Sequence, residues 1–181
     1  MFGFFRRKQF TEPKAPVIPP PQYQAAPGTE IRFQPELVPQ LKADHQNLIS
    51  IYLDIKTAFE GGDYEEVAKK LVHFRSSLQA HLLTENVRLY IYLSHSLAND
   101  EINSELIHEF RREMDAIARV AMNFLKKYDT IGVDKELAGA FAKDFATIGQ
   151  VLTERIEKKS GCFTRSICLA TEGWGRGCSA L

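Results

Sequence analysis

The sequence predicts an all-α fold, an up-down-up-down antiparallel four-helix bundle, on three observations. Apolar residues recur at helical spacing in four long stretches. The connections between those stretches are short, which makes sequence neighbours antiparallel. Period-two runs bounded by hairpin turns, the signature of strands, are absent. The bundle is expected over 34–160, with a disordered aromatic and basic N-terminal peptide and Pro-rich linker over 1–33 and an irregular tail over 161–181.

A wheel at about 100° per residue assigns each stripe. The first helix, about 35–60, carries Leu37, Leu41, His45, Leu48, Tyr52, Ile55 and Phe59, and Gly61 with Gly62 ends it. The second, about 63–97, carries Val67, Leu71, Phe74, Leu78, His81, Glu85, Leu89 and Tyr92. Asp63 is its N-cap, with Glu66 three residues on in a capping-box arrangement. The third, about 104–128, shows Ile107, Phe110, Met114, Ile117, Ala121, Phe124 and Tyr128, with Ser104 as its cap. The fourth, about 134–159, shows Leu137, Phe141, Phe145, Ile148, Leu152, Arg155 and Lys159.

The flanks differ in character. Residues 11–29 are rich in Pro, Ala and Gln, with too little apolar bulk to offset the entropy of ordering them, and read as an extended, partly polyproline linker. The linker tethers Phe2, Phe4, Phe5, Arg6, Arg7 and Lys8. That peptide is either a docking element for a protein partner or a membrane surface, or a disordered start. After Lys159 the composition shifts to Gly, Cys and Trp without helical periodicity.

Composition narrows the function classes. Lys plus Arg number 23 and Asp plus Glu number 23, so no global field recruits nucleic acid or an anionic membrane. No run approaches the roughly 18 apolar residues of a membrane span. The start places apolar residues before charges, the reverse of a secretory signal, and the expected location is cytoplasmic. Cys162, Cys168 and Cys178 have neither paired-Cys zinc spacing nor a CxxC spacing.

The informative residues are polar groups on apolar stripes, because burying one without a partner costs about 1 to 3 kcal/mol. They are His45 on the first helix, His81 and Glu85 one turn apart on the second, and Arg155 and Lys159 one turn apart on the fourth. His45, His81 and Glu85 are nitrogen and oxygen donors of the kind iron, manganese or zinc accept, and are the candidate metal ligands. His108 lies roughly 160° from the third stripe. It is assigned to the surface, as are His73 and His95.

The segments LKADHQNL, FRSSLQAHLLTENVRLYIYL, FRREMDAIARVAMNFL and IGQVLTERIEKK resemble the four helices of the hemerythrin-like (HHE cation-binding) family. The resemblance implies a bundle around a non-haem diiron centre. Its ligands would be a histidine from the first helix, an HxxxE pair from the second, histidine from the third, and a histidine with a carboxylate from the fourth. His45 matches the first, and His81 with Glu85 match the pair. Glu113-Met114 aligns with a Glu-His motif, so Met114 stands where histidine is expected. Arg155 and Lys159 stand where the last histidine and carboxylate belong.

Three states of the site stay open. In one, Glu85, His45, His81 and Arg155 form a metal-free cluster in which Arg155 pairs with the Glu85 carboxylate and Met114 fills volume. In another, His45, His81 and Glu85 hold a single non-haem iron with positions open to dioxygen or nitric oxide. In the third, the centre is dinuclear through ligands placed elsewhere. The function expected is a non-enzymatic regulatory, signalling or interaction module with a reduced or lost metal site, acting on a protein partner through the N-terminal peptide. The alternative is an iron-binding sensor or carrier of oxygen, nitric oxide or iron.

Overall fold

A computed structural model describes residues 25–171, with side chains described through Glu157. The elements are α1 (Leu37–Glu60), α2 (Tyr64–Thr84), a π-helical turn (Glu85–Tyr90), α3 (Ile91–Ser96), α4 (Glu101–Lys127) and α5 (Ala138–Thr171), the last preceded by a 3-10 turn (Lys135–Leu137). Since α2, the π turn and α3 together make the second of the four expected helices, the architecture is the all-α bundle. Contacts run antiparallel between neighbours: Lys70 reaches Asp54 across α1 and α2, while Lys127 reaches Asp144, and Arg155 reaches Glu113, across α4 and α5. No strand occurs among the described residues, and none of their helices is long and apolar enough to cross a membrane.

Helix ends follow local chemistry. Gly62 adopts φ +74°, and the Asp63 and Gly62 amides donate to the carbonyls of Ala58 and Phe59. This is the doubly bonded C-terminal cap in which a left-handed glycine turns the chain back. Asp63 then caps α2, its Oδ1 accepting from the Glu66 amide at 3.0 Å. The cap of α4 is Asp100, accepting from the Asn103 amide at 3.1 Å, and not the expected Ser104, so the helix begins three residues early. Asp100 brings a full negative charge to the orphan amides, which a serine hydroxyl does not. The helical assignment of α5 continues past Lys159 to Thr171, so 161–171 is not irregular. One internal glycine, Gly161, costs a helix only about 1 kcal/mol, and no proline follows to stop it.

Two apolar clusters fill the bundle. The larger, at the α1–α2 turn, gathers Leu48, Ile55, Leu71, Phe74, Leu125, Tyr128, Phe141, Phe145 and Ile148. The smaller, at the opposite end, gathers Leu37, Leu41, Leu89, Tyr90, Leu93, Ile107 and Phe110. Ala26 belongs to the smaller cluster at 2% exposure. The last part of the expected linker is therefore a tight turn, with an isolated Ala25–Arg32 bridge, laid on the bundle end. Between the two clusters lies a layer where the buried side chains are His81, Glu85, Met114 and Arg155.

One contact sets how closely α1 approaches α5. Tyr52 stacks on Phe145 with ring centroids 4.1 Å apart, and its hydroxyl donates to the Phe145 carbonyl at 3.2 Å. A Cβ at Gly149 would lie 2.3 Å from that hydroxyl oxygen, so glycine is what gives the tyrosine room.

Candidate functional site

The polar layer is assembled by all four helices of the bundle. α1 contributes Asp44 and His45, the last turn of α2 carries His81, the π turn supplies Glu85 and Tyr90, α4 supplies Glu113 and Met114, and α5 supplies Arg155. His45 and His81 meet Nε2 to Nε2 at 3.1 Å, with ring centroids 4.6 Å apart. Such a contact requires one ring to donate and the other to accept. Asp44 Oδ2 lies 3.6 Å from His81 Nδ1, and Glu85 Oε2 lies 3.6 Å from His81 Nε2. The structure thus brings the three candidate ligands together.

Arg155, 3% exposed, is held differently from the expectation. Its Nη1 donates to Glu113 Oε2 at 2.8 Å, and its Nη2 donates to the Tyr90 hydroxyl and the Phe110 carbonyl, both at 3.1 Å. The guanidinium also lies 5.2 Å from the centroid of the Phe110 ring. The expected direct pair with Glu85 is replaced by an indirect one. The Tyr90 hydroxyl stands between, accepting from Arg155 and hydrogen-bonding to Glu85. Glu113 takes the ionic contact because its position on α4 faces α5, where it keeps 38% side-chain exposure and so sheds less hydration than Glu85 would.

Two members of this network are off the sequence stripes. Residues five apart on an α-helix lie about 140° apart around the axis. The π turn, with its i to i+5 bonding, carries Tyr90 onto the face of Glu85, which a uniform wheel cannot show. Glu113 did leave a signal, as the neighbour of Met114 in the segment aligned with a Glu-His motif. His73, His95 and His108 are exposed, as expected. Phe4, Phe5, Arg6, Arg7 and the side chain of Lys159 lie outside the described residues.

Burial pushes the Tyr90 phenol well above its ordinary pKa of 10.0, and the neighbouring Glu85 carboxylate adds to the rise. The folded protein therefore keeps this proton where the unfolded chain releases it. The stability this contributes is complete below pH 10 and declines as pH rises beyond it. Tyr90→Phe is expected to lose about 1 to 3 kcal/mol at neutral pH, because both the Arg155 and Glu85 hydrogen bonds go. It should also show a shallower stability loss above pH 10 than the parent. Urea midpoints of the two proteins at neutral and alkaline pH check this, and parallel alkaline profiles would contradict it.

The layer opens into a cavity of about 290 Å³ lined by His45, His81, Met114 and Arg155 together with Leu48, Tyr52, Phe74 and Leu152. The residues at two of the family's ligand positions, Met114 and Arg155, thus face the same space as the two histidines. The set does not fit a dinuclear metal centre. A guanidinium has no lone pair to give and carries its own positive charge, and a thioether is a poor ligand for a hard cation. Among the described residues no group of three or more His, Cys, Asp or Glu is placed to hold a metal ion. What the layer can do is hold charge in place: Asp44 and Glu85 each lie 3.6 Å from a ring nitrogen of His81, while Tyr90 and Glu113 accept hydrogen bonds from Arg155.

The family model described as the hemerythrin HHE cation binding domain matches residues 36–160, from the start of α1 into α5. No curated protein and no solved structure matches the chain.

Proposed function

The chain belongs to the hemerythrin HHE cation-binding family, and from that premise we propose that it is a non-enzymatic regulatory or interaction module in which a side-chain cation has taken the place of the metal. The observation that carries this is the Arg155 guanidinium, buried and bonded to Glu113, Tyr90 and the Phe110 carbonyl. A cation held by these partners repels a metal ion on the neighbouring imidazoles, and its own hydrogen bonds keep it from swinging aside. Met114 supports the same conclusion, since it fills volume where a donor would be needed. The bundle then serves as a scaffold. Its polar layer sets helix register, and the tethered peptide with Phe4, Phe5, Arg6 and Arg7 engages a protein partner in the cytoplasm.

Elemental analysis of the full chain after anaerobic iron loading and gel filtration tests the loss of the metal site. The expected result is no retained iron and no ligand-to-metal absorption band. Iron retained by the parent and lost in His81→Ala would overturn the proposal in favour of a non-haem iron sensor or carrier. Deleting residues 1–24, which spares the turn that Ala26 anchors on the bundle, is expected to abolish partner binding while leaving the helical content of the bundle intact.

A further inference from the structure

We propose that the cavity between α1 and α5 is a binding site for a small uncharged aromatic molecule of about two fused rings. This goes beyond the proposed loss of the metal site, and concerns the space that the polar layer floors.

Size sets the first limit. An apolar cavity of about 150 Å³ takes benzene, so about 290 Å³ leaves room for a bicyclic ligand. The walls set the second. Leu48, Tyr52, Phe74 and Leu152 present aliphatic and ring surface, and the Met114 thioether adds a soft, polarisable contact of the kind that favours an aromatic ring edge. Tyr52 is itself fixed by its stack on Phe145, and its hydroxyl is committed to the Phe145 carbonyl, so the wall is formed before a ligand arrives. Entry is from the side of α1, where the lining residues Ile49 and Leu53 are 39% and 54% exposed.

Charge sets the third limit. The inner end holds Arg155, which lines the cavity, with Glu113 and Glu85 behind it and Asp44 beyond His81. An organic ammonium entering there would face the guanidinium. A carboxylate would approach Glu85 and Asp44, and would have to compete with Glu113 for Arg155. Both charged heads lose hydration without a free counter-charge, whereas a neutral molecule does not incur that cost.

Titrations of the full chain by calorimetry, with 2-naphthol, 2-naphthoate and 2-naphthylmethylamine at neutral pH, test this. Saturable binding of one 2-naphthol per chain is expected, with the anion and the ammonium each at least about tenfold weaker. Leu152→Trp, which fills the cavity, and Thr153→Trp, which covers its mouth from an exposed position, should each remove that binding. Val72→Trp, on the outer face of α2, should keep it. Because Thr153 is exposed, its variant reports on the site even if Leu152→Trp fails to fold. No saturable 2-naphthol binding, equal binding of the charged analogues, or binding unchanged in Thr153→Trp would each overturn the proposal. Running the titration on metal-free protein keeps its outcome separate from the iron measurement.

Discussion

Arg155→Met is expected to destabilise the bundle by about 3 kcal/mol, or about 10 °C in Tm for a chain of this size. The change removes a buried cation and takes from the Tyr90 hydroxyl its guanidinium donor, and from the Phe110 carbonyl the donor it has besides its own helix. More important, Glu85 at 1% exposure loses the positive charge that reaches it through Tyr90. Truncating one partner of a buried ionic network costs about 3 to 5 kcal/mol when the other remains. The lower end applies here because Glu113, at 38% exposure, can be rehydrated. The same logic makes Glu113→Gln a mild change, about 1 kcal/mol or less. The double variant Arg155→Met with Glu85→Leu should recover only part of the loss, since both charges go but the buried Tyr90 hydroxyl loses the two groups it bonds. Equilibrium urea unfolding of the four proteins measures all three differences. A single variant within about 0.5 kcal/mol of the parent would show that Arg155 is not what holds the layer together.

Phe141→Ala should cost about 3 to 5 kcal/mol for a different reason. Phe141 has no exposed surface and is ringed by Phe59, Phe124, Tyr128 and Phe145, with centroids 4.7, 5.7, 5.0 and 5.1 Å away. These neighbours come from α1, α4, α5 and the turn after α4, so a cavity at Phe141 loosens three helices together. Neighbours as rigid as rings refill space poorly, which places the change at the costly end of large-to-small substitutions. Phe141→Leu, keeping most of the volume, should cost less than half as much. Urea midpoints settle the comparison. Equal losses for the two variants would mean that ring geometry and not volume dominates the cluster.

The two effects come from opposite kinds of interior, and the sequence disclosed them unequally. Phe141, Phe145, Leu71, Ile107 and their neighbours were legible because burial follows helical spacing wherever a helix is regular. Capping at Asp63 and the stop at Gly62 were legible too, since both act within a few residues of chain. His45, His81, Glu85 and Arg155 stood out for the complementary reason: polar groups on an apolar stripe demand partners. Which partners they take is a property of distance in space. Arg155 chose Glu113 over Glu85 because two helices cross at a separation that no periodicity encodes. Tyr90 entered the network only because the backbone inserts a π turn at Glu85, and that turn is stabilised by what α4 and α5 place against it. The sequence alone therefore determined the all-α bundle, its core and the identity of the polar residues, all set by local hydrogen bonding and the period of the helix. The tertiary structure alone decided the pairing of charges, the place of Tyr90 and the shape of the cavity, because each depends on groups distant in the chain meeting in a low-dielectric interior.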